Sequence, residues 1–158
     1  MKIYYREKSG GIEILRCFGI EGRVEIPGMI DGKLVISAAP YAFSSHMDEK
    51  EDLKNASLWE VSEGLEFGRE EHVLAGNDVE EIVFPDTLKE IGRYIFYGCG
   101  NLKKLELSDS LMQIGCGAFT GCHALEKLTV HMRQGKKSGV KEMLGEMWQR
   151  IDVNFLYE

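Results

Sequence analysis

A block of 23 residues occurs twice in a row in this chain, and this repetition constrains the fold more than any other feature. The copies span 79–101 and 102–124, and seven of their positions are identical. The identical pairs are Asp86/Asp109, Leu88/Leu111, Ile91/Ile114, Gly92/Gly115, Phe96/Phe119, Gly98/Gly121 and Cys99/Cys122. A fixed period of this length is typical of stacked repeats. The chain is therefore expected to fold as a solenoid, an architecture that acts through an extended surface.

Further copies are weaker. A third begins at Leu125, and the segment from Val24 to Phe43 aligns with 82–96 as a longer first repeat. A degenerate second repeat is predicted through Ala56, Trp59, Val61 and Leu65, with Val73 at the phenylalanine position and Gly76 at the cysteine position. The polar segment 44–52 between them is predicted to be a loop or a short surface helix. The total is about five turns, more than the minimum of about three that buries a continuous core.

The two ends of the chain depart from the period. Residues 1–23 contain alternating apolar runs separated by glycine-rich turns, which predicts a β-hairpin cap. Near the other end, one apolar stripe follows helical spacing and predicts an amphipathic helix with Ser138 as its N-cap. Its members are Val140, Met143, Leu144, Met147, Trp148 and Ile151. Alternation from Val153 to Tyr157 predicts a final strand. The expected organisation is one domain over 1–158, with the cap 1–23, repeats over 24–133 and a C-terminal cap over 134–158.

The candidate binding residues are the outward-pointing members of consecutive repeat strands. Leu105 and Leu107 point into the stack from a strand of period two, whereas Glu106, Ser108, Asp109 and Gln113 are expected to face water. Because equivalent positions lie one repeat apart, the outward residues form two short rows. These rows comprise Glu81, Val83, Lys104, Glu106, Lys127 and Thr129. We predict that they form a protein-binding face.

Composition limits the classes of partner. The net charge is −7, from 19 basic and 26 acidic residues, and this balance argues against nucleic acid, which attracts clustered Lys and Arg. No apolar run approaches the roughly 20 residues of a membrane-spanning helix, so no membrane insertion is expected. Charge within the first eight residues is unlike a signal peptide. The expected location is the cytoplasm, or the cell surface or medium if the natural chain is longer.

The chemistry-bearing residues do not form a recognisable active site. Cys99 and Cys122 are expected to stack as buried structural thiols, with a disulfide as the alternative. Cys116, Cys122 and His123 lack zinc-ligand spacing, and no signature surrounds Cys17 or Cys116 as a nucleophile. The acidic runs indicate a solvated face. We therefore predict no catalytic residue, no cofactor and no metal, and a protein that is not an enzyme.

The strings 88–102 and 111–125 carry a family resemblance, since both show Leu, Ile-Gly, Phe, Cys and Leu at the same spacing. Together with Val24-x-Ile26-Pro27, they resemble the BspA-like leucine-rich repeat family. The resemblance implies an α/β repeat fold, a right-handed solenoid with a short parallel sheet. It also implies relatives that are often secreted or surface proteins of gut and oral bacteria, implicated in adhesion and host-protein binding.

Two functional hypotheses follow. The first is a non-enzymatic protein–protein interaction module whose partner is another protein. The alternative is a cell-surface or secreted adhesin that binds a host protein or glycan. An enzyme would require a concave pocket with converging polar groups. A poorly covered solenoid end could also pair with a second copy of the chain, giving a homo-oligomer through an end cap.

Overall fold

The computed structural model describes residues 1–61, 70–135, 137–146 and 151–158. Short strands dominate these residues, and the two α-helices are α1 (Glu49–Asp52) and α2 (Val140–Gly145). The strands are β1 (Lys2–Lys8), β2 (Gly11–Gly19), β3 (Arg23–Glu25), β4 (Met29–Ile30), β5 (Lys33–Ala38), β6 (Ser57–Glu60), β7 (His72–Val73), β8 (Glu81–Val83), β9 (Glu90–Ile91), β10 (Lys104–Ser108), β11 (Gln113–Ile114), β12 (Lys127–Met132) and β13 (Val153–Tyr157). The chain is a β-solenoid with few helices, as the repeat predicts.

Two sheets form the walls of the solenoid. The front sheet has the order β13-β12-β10-β8-β3, and every neighbouring pair is parallel. The side sheet has the order β11-β9-β5-β2-β1-β6, with β4 paired to β5 and β7 paired to β2. The hairpin of β1 and β2 joins the side sheet beside β5. Because β2 takes the place next to the first turn, the hairpin continues that wall of the stack.

The predicted repeat register is confirmed. Ile82, Leu105 and Leu128 pair in register along the front sheet and are at most 1% exposed. On the opposite side of the core, Phe96 lies between Phe43 and Phe119, with ring centroids 6.0 and 5.5 Å away. Like residues meet because each turn places the same position one inter-strand spacing above the last. The core is therefore built from ladders of equivalent residues.

Glycine is required at the corner shared by two turns. A Cβ atom on Gly92 would lie 2.3 Å from the Pro40 nitrogen, and one on Gly115 would lie 2.2 Å from the Arg93 nitrogen. Both contacts are with backbone, which cannot move aside as a flexible side chain can. The Ile-Gly pair of the repeat is thus explained by close approach between successive turns.

The predicted second repeat does not form a turn of its own. Phe43 of the first turn stacks directly on Phe96, and Val73, predicted at the phenylalanine position, lies in β7 beside β2. Strand β3 pairs directly with β8, and no strand lies between them. Strand β6, which contains Trp59, instead pairs antiparallel with β1 in the side sheet. Leu65 lies outside the described residues. The alignment from Ala56 to Val61 predicted a strand but assigned it to the wrong sheet, because its apolar pattern fits either sheet.

Gly76 does occupy the cysteine position, but in the first turn. Its backbone N–H donates to the Phe43 carbonyl at 2.8 Å, as the Cys99 N–H donates to Phe96 at 3.0 Å. The first turn therefore consists of residues 24–43 and 76–78, joined by an insertion of residues 44–75. Of this insertion, 44–61 and 70–75 are described, and its short surface helix is α1. A long excursion is tolerated because loop-closure entropy rises slowly with length.

The C-terminal elements partly match the sequence pattern. Strand β13 forms as predicted and pairs with β12. Helix α2 ends at Gly145, and its N-cap is Gly139 and not Ser138. The Ser138 hydroxyl still accepts from the Val140 N–H at 3.2 Å, and it donates to the Asp109 carbonyl at 2.8 Å. Met147 and Trp148 of the predicted stripe lie outside the described residues.

Ser108 and Asp109 are buried, contrary to the expectation that they face water. The Asp109 carboxylate accepts from the Arg133 backbone N–H at 2.6 Å, and the Arg133 guanidinium lies 2.9 Å from it. The chain after β12 thus folds over the end of β10, which withdraws both residues from solvent. Repeat alignment could not show this contact because the position equivalent to Arg133 in the preceding copy is Ser110, which has no guanidinium.

Candidate functional site

The candidate site is the front face, which we define as the outward-pointing residues of the front sheet. Register places Glu81, Lys104 and Lys127 in one row and Val83, Glu106 and Thr129 in a second. Both rows exist because outward positions of parallel strands stack one repeat apart. The structure therefore brings the six predicted residues together on one surface.

Exposure varies within this surface. Lys104 and Lys127 are exposed, whereas Glu81, Val83 and Glu106 are partly buried. Thr129 is only 6% exposed, which corrects its prediction as an exposed residue. It lies in register between Glu106 and Asn154, because β13 continues the sheet beyond β12. Of the three predicted residues in this row, Val83 and Glu106 thus remain accessible to a partner.

The first strand of the front sheet extends both rows. Arg23 lies beside Glu81, and Glu25 lies beside Val83. Neither residue belongs to the predicted set, although the signal was present: the alignment of Val24 with Ile82 places their neighbours in the same rows. The face consequently spans the strands from β3 to β12.

The charges of the first row are unevenly balanced. The Arg23 guanidinium lies 3.4 Å from the Glu81 carboxylate, and this contact raises the pKa of Arg23. Among the described residues, no carboxylate lies within ion-pair distance of Lys104 or Lys127. The row therefore carries two neighbouring ammonium groups that form no ion pair within the described part of the chain, on a protein of net charge −7. Such a local basic spot attracts acidic groups of a partner.

The second row ends near a histidine. The His131 ring lies 3.8 Å from the Glu106 carboxylate and 3.0 Å from the Glu158 carboxylate. Two carboxylates beside one imidazole give this end of the face acidic character. The front face thus presents basic and acidic groups side by side, an arrangement that favours orientation of a partner more than affinity alone.

An open depression lies where β3 and β8 end. It has a volume of about 600 Å³ and is lined by Glu25, Val83 and the two proline corners that follow these strands. The corners contain Ile26-Pro27 and Phe84-Pro85. The depression is continuous with the front face through Glu25 and Val83, and it adds apolar contact area beside the charged rows.

Three of the cysteines are buried or partly buried, and two of these make hydrogen bonds between turns. The Cys99 thiol donates to the Phe43 carbonyl at 3.2 Å, and the Cys122 thiol donates to the Phe96 carbonyl at 3.3 Å. Each thiol thus hydrogen-bonds the preceding turn, and both cysteines are free and not joined by a disulfide. Burial raises the pKa of Cys17, Cys99 and Cys122 to about 12 in each case. These groups are neutral thiols at physiological pH, unlike an activated nucleophile.

The described residues form neither a metal site nor a membrane-spanning helix. No group of three His, Cys, Asp or Glu side chains there could hold a metal ion. Within the same residues, no helix combines the length and apolarity that crossing a membrane requires. The front face is shallow and carries charges spread over several strands, so its geometry suits contact with another macromolecule.

Comparison with known proteins agrees with the repeat pattern. Residues 70–139 match the family model described as "BspA type Leucine rich repeat region (6 copies)". Among solved structures, the chain is similar to the crystal structure of a T. pallidum leucine-rich repeat protein, with 16% identity and a TM-score of 0.44. That match covers 98% of this chain and 79% of the other. Comparison with curated proteins gave no match.

Proposed function

Since residues 70–139 form a BspA-type leucine-rich repeat region, we propose that this protein is a non-enzymatic protein-interaction module that binds another protein through its front face. The observation that carries the proposal is the register of the two rows, with Lys104 beside Lys127 and Glu106 beside Val83. Side chains aligned over several parallel strands offer a broad surface with a defined charge pattern. Repeat proteins recognise partners through such surfaces.

The expected partner contacts the basic spot with acidic side chains. Lys104 and Lys127 are exposed and form no ion pair among the described residues, so an approaching carboxylate meets no competing ion pair. Charge pairs at the rim of an interface act mainly on association rate and specificity. We therefore expect binding to weaken as ionic strength rises, since screening shortens the reach of these charges.

The winding and the ends of the stack belong to the same proposal. We infer a right-handed solenoid, since crossovers between parallel strands are right-handed in nearly all proteins. The hairpin of β1 and β2 serves as the N-terminal cap, and α2 with β13 serves as the C-terminal cap. Capping matters for function because an open solenoid end pairs with other chains and would compete with the front face.

The test is a charge reversal with a matched control. Lys104→Glu combined with Lys127→Glu should abolish most capture of a partner from a lysate of the source cells, measured by quantitative mass spectrometry. The control is Lys50→Glu combined with Lys54→Glu, which changes the net charge equally at exposed positions of the insertion. Partners lost from the first variant and kept by the control identify front-face ligands. Equal capture by both variants would exclude the front face as the binding surface.

A further inference from the structure

The last complete turn of the solenoid is less covered than the turn before it. Ile91, Cys99 and Leu102 are fully buried, but their equivalents Ile114, Cys122 and Leu125 are only partly buried. The residue types are the same, so the difference comes from what lies above them. Strand β13 continues the front sheet beyond β12, whereas β11 is the final strand of the side sheet. Among the described residues, a further strand therefore extends the front wall, and none extends the side wall beyond β11.

The open wall has unused hydrogen-bonding groups in a regular pattern. One turn earlier, the Lys89 and Ile91 carbonyls accept from Met112 and Gly115 at 2.8 Å each. The Tyr94 and Phe96 N–H groups donate to Cys116 and Ala118 at 3.1 Å each. Within the described part of the chain, the equivalent groups of the last turn have no such partner. These are the carbonyls of Met112 and Ile114 and the N–H groups of Gly117 and Phe119.

A groove separates this edge from α2. It has a volume of about 580 Å³, within the usual range for ligand sites, and is lined by 112–120 on one side and by Met143 and Glu146 on the other. Met112 is 74% exposed, although it borders the groove. Since a helix forms the far wall, the space suits one extended strand better than the face of a second folded domain.

We propose that this groove binds an extended, largely apolar segment of a partner protein by strand addition. The segment takes the position of the next turn, donating to the carbonyls of Met112 and Ile114 and accepting from the N–H groups of Gly117 and Phe119. Main-chain hydrogen bonds supply affinity in this mode, and side-chain pockets supply specificity. Among the described lining residues Glu146 is the ionised one, so a basic residue in the segment is favoured over an acidic one.

The chain itself contains a model ligand. Residues 90–98 already pair with the preceding turn in the same way: the Gly92 N–H donates to the Ala38 carbonyl, and the Arg93 and Ile95 carbonyls accept from the N–H groups of Tyr41 and Phe43. A blocked peptide with this nine-residue sequence is therefore shaped for the edge, and it carries one basic residue, Arg93, and one acidic residue, Glu90. The matched control peptide has sarcosine at the position of Gly92, which removes one ladder N–H without changing any side chain.

The test is titration of the full chain with both peptides by calorimetry. We expect saturable binding of the first peptide and no binding of the sarcosine peptide. Met112→Lys should raise the Kd about tenfold, equivalent to about 1.4 kcal/mol. Met29→Lys, at a methionine that is 56% exposed and does not line the groove, should leave the Kd unchanged. Bound peptide should also protect the exposed Cys116 thiol from alkylation.

Three results would overturn the proposal: absence of binding up to about 1 mM peptide, equal binding of both peptides, or self-association of the protein alone that Met112→Lys abolishes. The last result would assign the groove to a second copy of the chain. This inference is separate from the front-face proposal. Reversal of Lys104 and Lys127 should not change peptide binding, so each proposal can fail without the other.

Discussion

At the scale of single residues, Glu13 shows how a buried charge is held in a strand. Its side chain is 1% exposed, and its carboxylate receives hydrogen bonds from Lys8 at 3.0 Å, Ser37 at 2.9 Å and Arg6 at 2.8 Å. Burial by itself raises the pKa of Glu13, but the hydrogen bonds from Lys8, Ser37 and Arg6 outweigh it and keep this pKa below its ordinary value. The ionised carboxylate therefore ties β1 and β2 to β5.

This arrangement predicts a pH-dependent contribution to stability. A lowered pKa in the folded state adds stability above the unfolded-state pKa, and this stability is lost as pH falls through the folded-state pKa. Glu13→Gln should lower the free energy of unfolding at pH 7 by about 1–3 kcal/mol. The difference from the wild type should shrink as the pH is lowered below about 4.

Urea midpoints at neutral and acidic pH measure this effect. Glu21→Gln, at an exposed position, is the control and should change the midpoint little at either pH. If the free energies of unfolding of the wild type and Glu13→Gln differ by the same amount at every pH, the effect does not come from the ionised carboxylate.

At the scale of elements, Arg16 of β2 joins the insertion to the first turn. Its side chain is 2% exposed, and its guanidinium donates to the carbonyls of Tyr41 at 3.2 Å, Ala42 at 3.1 Å and Ser44 at 2.6 Å. The same guanidinium lies 3.0 Å from the Glu49 carboxylate of α1. One side chain thus satisfies the carbonyls where the chain leaves the stack and also holds the first helix of the insertion.

Removal of this side chain should destabilise the fold strongly. Arg16→Met leaves three carbonyls without their donor, which we expect to cost about 2–4 kcal/mol. Glu49→Gln removes only a partly exposed ion pair and should cost less than about 1 kcal/mol. Chemical denaturation gives both values. Amide hydrogen exchange in the described parts of the insertion should also be faster in Arg16→Met than in the wild type. If both variants are destabilised equally, the ion pair with Glu49 alone accounts for the effect of Arg16.

At the scale of the whole molecule, the thiols bear on where the protein works. The structure holds four free cysteines, of which Cys116 is exposed and Cys99 and Cys122 act as hydrogen-bond donors to neighbouring turns. Free thiols persist in reducing compartments. As the sequence leads us to expect, we propose a cytoplasmic protein, and we predict its recovery in the cytosol when source cells are fractionated. Recovery from the medium or the envelope would contradict this and favour the adhesin hypothesis.

The two proposed binding surfaces lie on different parts of the solenoid. The front face is formed by strands that continue to β13, and the groove lies where the side sheet ends at β11. A protein with both surfaces could hold a folded partner and an extended segment at once. Such an arrangement raises avidity when both ligands belong to the same assembly.

Much of the fold follows from the repeat. The 23-residue period predicts that Ile82, Leu105 and Leu128 stack. It does not predict that Val24 pairs directly with Ile82, since a second repeat was expected between them. It predicts the rows of the front face for the same reason. A regular period leaves one register, since a slip by one residue would turn every apolar side chain toward solvent.

The sequence by itself thus determined the solenoid, its register and the position of the candidate face. Tertiary structure alone decided the rest. The apolar run of strand β6 fits either sheet. It pairs with β1 and does not lie between β3 and β8, because the N-terminal hairpin offers it the edge of β1. Asp109 is buried because Arg133 folds over it, and Thr129 is buried because β13 extends the sheet. Each of these contacts involves a side chain or strand with no equivalent in the other copies, so no period predicts it.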